Sequence, residues 1–178
     1  MCAYEALPLV GSERLVLRAP RMDDAGRVAA LANDIGVSGN LSRMPHPYGI
    51  DDARSFLAKT SSGDWMNGGN FAIEHPVDGL IGMIGFDLSA QPMGPEMGYW
   101  LGRPYWGRGY ATEAARAALA WASSDWGRRV VVAGHYPDNP ASGEVLVKTG
   151  FLYTGEVKAR PSLARGHDVP TRMMVWLA

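Results

Sequence analysis

Cysteine is almost missing from this chain. Cys2 is the only one in 178 residues, so no internal disulfide holds the fold, and no Cys/His spacing suits a metal site. An excess of one charge is missing too. Lys and Arg number 17 against 18 Asp and Glu, a net charge of -1, which gives no electrostatic reason for nucleic acid or an anionic membrane as partner. Short basic pairs, such as Arg103 with Arg108 or Arg128 with Arg129, suit ordinary solvated surface. No run approaches the roughly 18 consecutive apolar residues of a membrane span. The stretch around Glu5 lacks the basic start and apolar run of a signal peptide. The expected compartment is the cytoplasm. Repeats, low-complexity tracts and dividing linkers are absent as well, so one domain over residues 1–178 is expected.

What is present is an average globular composition, 47% hydrophobic and 20% charged, long enough for a sizeable core. Arg14 to Arg18 alternates polar and apolar residues, as a strand does. Asp23 to Asn33 reads as a helix with Val28, Leu31 and Ile35 on its apolar face. Ser38 to Ile50 holds glycine, two prolines and His46 and reads as a loop. A helix then starts at Asp51 and ends near Gly63. Phe71–Glu74 and Leu80–Leu88 read as strands around a turn at Pro76–Gly79, and Glu96–Leu101 as a further strand. An alanine-rich helix runs to about Trp126, followed by a strand at Val130–His135. Asn139 caps a helix whose first turn holds Pro140 and which Gly150 stops. Phe151–Val157 and Thr171–Leu177 are the closing strands. This order predicts an α+β protein with a mixed sheet.

The segment Trp106-Gly107-Arg108-Gly109-Tyr110-Ala111-Thr112 joins a strand to a helix. Glycines allow unusual dihedrals and close approach, and consecutive N–H groups at a helix N-terminus favour an anion such as a pyrophosphate. Many Gly-x-Gly pairs are ordinary turns, however. No Lys follows these glycines, which argues against a nucleoside-triphosphate loop, and the third glycine of a dinucleotide fingerprint is missing.

Glu96-Met97-Gly98-Tyr99-Trp100-Leu101, then Tyr105 to Ala114, resembles the acetyl-CoA-binding core of the GNAT superfamily of N-acetyltransferases. Asn139-Pro140-Ala141-Ser142 with Lys148-Thr149-Gly150-Phe151 resembles its second cofactor element. Pro47-Tyr48 leading into Asp51-Asp52-Ala53 resembles the RimJ/RimL-like branch, which acetylates ribosomal-protein N-termini. Trp106 stands where the superfamily usually has Gln or Arg, a change that leaves backbone donors intact. The resemblance implies a mostly antiparallel central sheet, splayed between the fourth and fifth strands and flanked by helices.

It also implies acetyl transfer from acetyl-CoA to a primary amine, on a protein N-terminus or a small molecule. Main-chain donors of Gly107, Arg108, Gly109, Tyr110, Ala111 and Thr112 would hold the pyrophosphate. The backbone of Tyr99, Trp100 and Leu101 would pair with the pantetheine arm and offer an N–H to the thioester oxygen. One of Tyr99 and Trp100 is expected in the core, since strand neighbours face opposite ways. Asn139 would bind the pantetheine amide, cap its helix, or both.

Amine attack needs a neutral amine. An α-amine, with a pKa of about 7.7–8.0, meets that more easily than a lysine near 10.4. Glu96 leads the candidate bases, ahead of Asp87 and Glu74; His135 suits a structural role better. Some relatives carry a tyrosine seven residues beyond the asparagine and a glutamate five before it. Here those positions are Leu146 and Gly134. That leaves Ser142 to hydrogen-bond the sulfur. The loop Leu41–Ile50, with Arg43, His46 and Tyr48, is expected to shape the acceptor pocket. A non-catalytic acyl-CoA-binding sensor or regulatory module is the alternative, and a homodimer would be ordinary.

Overall fold

The computed structural model describes residues 8–60, 68–88 and 93–178. Cys2, Glu5 and the expected helix end at Gly63 lie outside these residues. The described chain builds an eight-stranded sheet in the order β1-β2-β3-β4-β5-β6-β8-β7. The strands are β1 (Val10–Gly11), β2 (Val16–Arg18), β3 (Gly68–His75), β4 (Gly79–Asp87), β5 (Glu96–Leu101), β6 (Val130–His135), β7 (Leu152–Ser162) and β8 (His167–Leu177). The helices are α1 (Ala25–Ala32), α2 (Ile35–Ser38), α3 (Ile50–Thr60), α4 (Tyr110–Ser124) and α5 (Pro140–Lys148).

β4 lies near the middle of the sheet, and its run Leu80, Ile81, Met83, Ile84 and Phe86 is buried on both faces. Each such side chain contributes about 1.5–3 kcal/mol through burial. Gly82 sits where β5 presses closest, since a Cβ there would lie 2.1 Å from the Trp100 carbonyl oxygen. α4 buries Ala114, Ala115, Ala118, Leu119 and Ala122. Small residues on one face let this helix lie close against the sheet, and alanine favours helix.

Every neighbouring pair of strands is antiparallel except β5–β6. That pair meets through a single register position, Glu96 opposite Val132, beside a 2.9 Å bond from Val132 N–H to the Pro95 carbonyl. The two strands then part. This is the expected splay, one strand later in the count because β1 precedes it.

Several expectations need correction. Asp23–Asn33 is not one helix: a 3-10 turn at Met22–Asp24 precedes α1, and Asp34 caps the separate α2 by accepting from Gly36 N–H. Ile35 therefore leaves the apolar face and is 52% exposed. The closing strands are longer than expected, and β7 and β8 form a hairpin with eleven residues in each strand. Pro161 and Pro170 lie inside them. β7 is the sheet edge, and Pro170 lies beyond the end of β6, so neither missing N–H interrupts a ladder on its open side.

Candidate active site

The parting of β5 from β6 opens a cleft of about 1370 Å³. Its walls include Glu96, Tyr99, Trp100, Leu101, Asn139 and Ser142, together with Gly107, Gly109, Tyr110, Ala111 and Thr112. The expected cofactor residues are thus brought together, apart from Arg108. Its side chain is exposed and its carbonyl accepts from Arg14 Nη1 at 3.2 Å.

Gly107 and Gly109 have φ of 71° and 79°, in the left-handed region that favours glycine. Gly109 is the N-cap of α4 and has no side chain with which to cap it, so the first N–H groups of the helix face the cleft uncapped. A Cβ on Gly107 would meet nothing within 4 Å, which leaves open space at the cradle. An anionic pyrophosphate fits there, with the positive end of the helix dipole behind the donors.

The cradle is clamped from outside. Glu113, in the first turn of α4, accepts from Arg14 N–H at 2.6 Å, Arg14 Nε at 2.7 Å and Ser12 Oγ at 2.8 Å. Burial pushes its carboxyl up, but these hydrogen bonds outweigh burial and hold it below its usual range. Before the loop, Arg103 donates to both Asp34 oxygens, at 2.6 and 2.8 Å, and stacks 5.1 Å from the Trp106 ring centre. Trp106 in turn donates from Nε1 to the Leu101 carbonyl at 2.7 Å. The departure at Trp106 thus has a local role: the indole pins the end of β5.

Within β5, Met97 and Leu101 are buried beneath the helices, while Tyr99 on the same face reaches α5. Its hydroxyl lies 2.8 Å from Ser142 Oγ and 3.1 Å from the Ser142 carbonyl. Trp100 faces the other way, and both aromatics are only half-buried, so neither is the expected core residue. Asn139 accepts from Ser142 N–H at 3.4 Å, so the cap is realised.

On the opposite face of the sheet, Asp87 stands in register with Glu96. Arg43 from the 39–49 loop donates to Asp87 at 2.5 Å, and Arg160 from β7 donates to Glu96 at 3.0 Å. Arg43, Tyr48, Asp87, Glu96 and Arg160 all line the cleft. Sequence reasoning named Arg43 for the acceptor pocket but missed its pairing with Asp87, and missed Arg160 altogether, because four separate segments supply these side chains. The same loop is stapled from above by Arg165, in the turn between β7 and β8. Arg165 donates to the Gly39 carbonyl at 2.6 Å, to Asn40 Oδ1 at 3.3 Å and to both Asp138 oxygens at 2.6 and 3.1 Å.

Two other candidates, His46 and Glu74, fall elsewhere, while His135 is part of the cleft wall. His46 contacts Ser38 Oγ at 3.4 Å and is not part of the cleft wall. Glu74 is paired with Arg18, whose guanidinium also holds Asp24, and it too lies outside the cleft wall. His135 is 5% exposed, with Nδ1 2.9 Å from the Tyr136 carbonyl and Nε2 2.9 Å from Tyr153 Oη. A carbonyl only accepts, so Nδ1–H donates to it, and Nε2 is paired with the Tyr153 hydroxyl. Both ring nitrogens therefore serve the fold. Leu146 is buried, and a Cβ on Gly134 would lie 2.6 Å from Thr171 Cγ2, so packing fills the positions of the missing tyrosine and glutamate.

A splayed sheet with an N–H cradle at one end of the gap defines an acyltransferase that takes a nucleotide thioester. The sequence profile described as "Acetyltransferase (GNAT) domain" matches residues 14–152. The chain belongs to this family, the GNAT acetyltransferases, and is an acetyl-CoA-dependent N-acyltransferase. It is 27% identical over 147 residues to the uncharacterized N-acetyltransferase p20 of Bacillus licheniformis, covering 81% of this chain and 82% of the relative. It is 34% identical over 94 residues to the ribosomal-protein-serine acetyltransferase of Escherichia coli, covering 51% of each. Mycobacterium smegmatis RimJ in complex with CoA-disulfide shares the fold, with a TM-score of 0.83 at 20% identity, covering 96% of this chain and 88% of that one. Among the described residues, no helix is long and apolar enough to cross a membrane.

Proposed function

We propose that this enzyme transfers the acetyl group to a primary amine, a protein N-terminal α-amine or a small-molecule amine, by direct attack with both substrates bound. One observation carries the reading: a single cleft joins the N–H cradle to the acceptor-side loop through the gap between β5 and β6. Acetyl-CoA supplies the electrophilic carbonyl. N–H groups of residues 107–112 hold its pyrophosphate, and the backbone of Tyr99 and Trp100 receives the pantetheine arm. Asn139 caps α5 beside it. Glu96 accepts the amine proton, while the Ser142 hydroxyl faces the departing sulfur. Holding both substrates in line supplies much of the rate.

The charges at the acceptor end are matched, since Arg43 and Arg160 neutralise Asp87 and Glu96. A polyamine would be better served by surplus carboxylates, so this balance supports an acceptor with one amine, such as a peptide N-terminus. The filled positions at Leu146 and Gly134 favour a second reading, a non-catalytic acyl-CoA-binding module. Calorimetry with acetyl-CoA, followed by thiol release with peptide, amino-acid and polyamine acceptors, tests both. Binding with release on a monoamine supports the first reading. Binding without release on any acceptor supports the second, and failure to bind overturns both.

A further inference from the structure

One side chain reaches across the gap where β5 and β6 part. Tyr99 on β5 contacts Ser142 on α5 through two oxygens, Oγ at 2.8 Å and the carbonyl at 3.1 Å. A phenol has one proton to give. When Tyr99 donates to the carbonyl, the Ser142 hydroxyl donates back to Tyr99. When Tyr99 donates to Oγ, the Ser142 proton is released to point elsewhere, into the cleft that both residues line. The pair is a two-position switch for a single hydrogen-bond donor.

Its surroundings keep the phenol protonated. Burial pushes Tyr99 up to about 12, against a smaller downward pull from the hydrogen bond with Ser142. A donor with so high a pKa does not surrender its proton to a thiolate, whose ordinary value is about 8.5, but it polarises a hydroxyl that it donates to. Serine alone is a poor partner for a developing negative charge, and the helix position seven beyond Asn139 offers only Leu146.

We propose that Tyr99 is a positioning residue that turns and polarises the Ser142 hydroxyl so that it donates to the departing sulfur of the acyl donor. This rests on the acetyltransferase reading above. As the amine nitrogen bonds to the acetyl carbon, the carbon–sulfur bond breaks and its electron pair stays on sulfur. Ser142 Oγ–H donates to that thiolate while Tyr99 Oη–H donates to Ser142 Oγ. The proton lost by the amine passes to Glu96 and reaches the thiolate through solvent on product release, so every group returns to its starting state.

A donor to the thiolate favours the charged form, and the free thiol of bound CoA reports this without any turnover. The test follows thiolate absorbance of CoA against pH on wild type, Tyr99→Phe and Ser142→Ala, each at a CoA concentration that calorimetry shows to be saturating. The expected result is a bound thiol that titrates about one unit lower on wild type than on either variant, a tenfold difference in thiolate fraction. Superimposed titrations, or a lower value on either of these variants, overturn the relay while leaving the acetyltransferase reading intact. Wild type that binds no CoA overturns that reading and the relay with it. Should Tyr99→Phe lose its fold or its CoA, fluorotyrosine at position 99, which keeps the ring and donates more strongly to Ser142 Oγ, takes its place: a bound thiol that titrates lower than on wild type is expected, and an unchanged one overturns the relay.

Discussion

The two halves of the cleft are made of different material. The proposed cofactor half is backbone: two left-handed glycines, an uncapped helix start and the free side of a splayed strand. The proposed acceptor half is side chain: Arg43, Asp87, Glu96 and Arg160 from four segments, under the Arg165 staple. Backbone donors do the same work whatever side chains surround them. An ion pair depends on two chosen residues, and either can change. The first half suits a constant co-substrate, the second an acceptor that differs between enzymes.

The sharpest way to break the contrast is Gly109→Trp. A non-glycine residue at φ 79° costs about 1–3 kcal/mol, and the indole also fills the cradle. Acetyl-CoA affinity should fall by about 100-fold or more in calorimetry. Near-normal affinity would show that the N–H groups are not the anchor. Next is Arg165→Ala, which removes charge-assisted bonds to two segments, residues 39–40 and Asp138. Urea unfolding should show a loss of about 2 kcal/mol, with Arg165→Lys recovering only part of it because an ammonium lacks the fork. An unchanged midpoint would mean that the acceptor loop holds itself.

Glu96→Gln should lower kcat about tenfold at pH 7 with acetyl-CoA binding retained. An undiminished rate would hand the base role to water or another group. The smallest effect concerns acid. Hydrogen bonds from Arg103, opposed by burial and aided by the Gly36 N–H, hold Asp34 down at about 2. A depressed carboxyl stabilises the fold above its ordinary value and loses that contribution as pH falls through its folded one. The stability gap between wild type and Asp34→Asn should therefore be full at pH 6 and shrink between about pH 4 and 2. A gap that stays constant down to pH 2 would remove Asp34 from the brace.

The same contrast explains what the sequence disclosed. β5 and β6 begin and end where the alternation and turn signals placed them, and Asn139-Pro140 opens α5 as a cap and first turn should. The glycine loop was legible because its requirements are local: positive φ demands glycine, and a helix start must follow. The two-residue β1 was not, since so short a strand leaves no periodicity. Nor was the full β7–β8 hairpin, whose prolines signal breaks unless the edge of the sheet is known. The Arg43–Asp87 and Arg160–Glu96 pairs span 44 and 64 residues, and nothing in either segment points to the other. Tyr99 lay within a recognised motif, yet its side-chain partner depends on how far β5 diverges from β6.

The single register pair between β5 and β6 also has a bearing on the life of the protein in a cell. The sheet is two smaller sheets joined at one point, and in the proposed binding mode the acyl donor lies along the seam as a missing strand would. A ligand that binds only the folded chain stabilises it in proportion to the logarithm of its concentration over Kd. Unfolding and proteolysis of this enzyme should accordingly slow when acetyl-CoA is abundant and quicken when it is scarce. Carbon supply would then set the amount of catalyst as well as its rate.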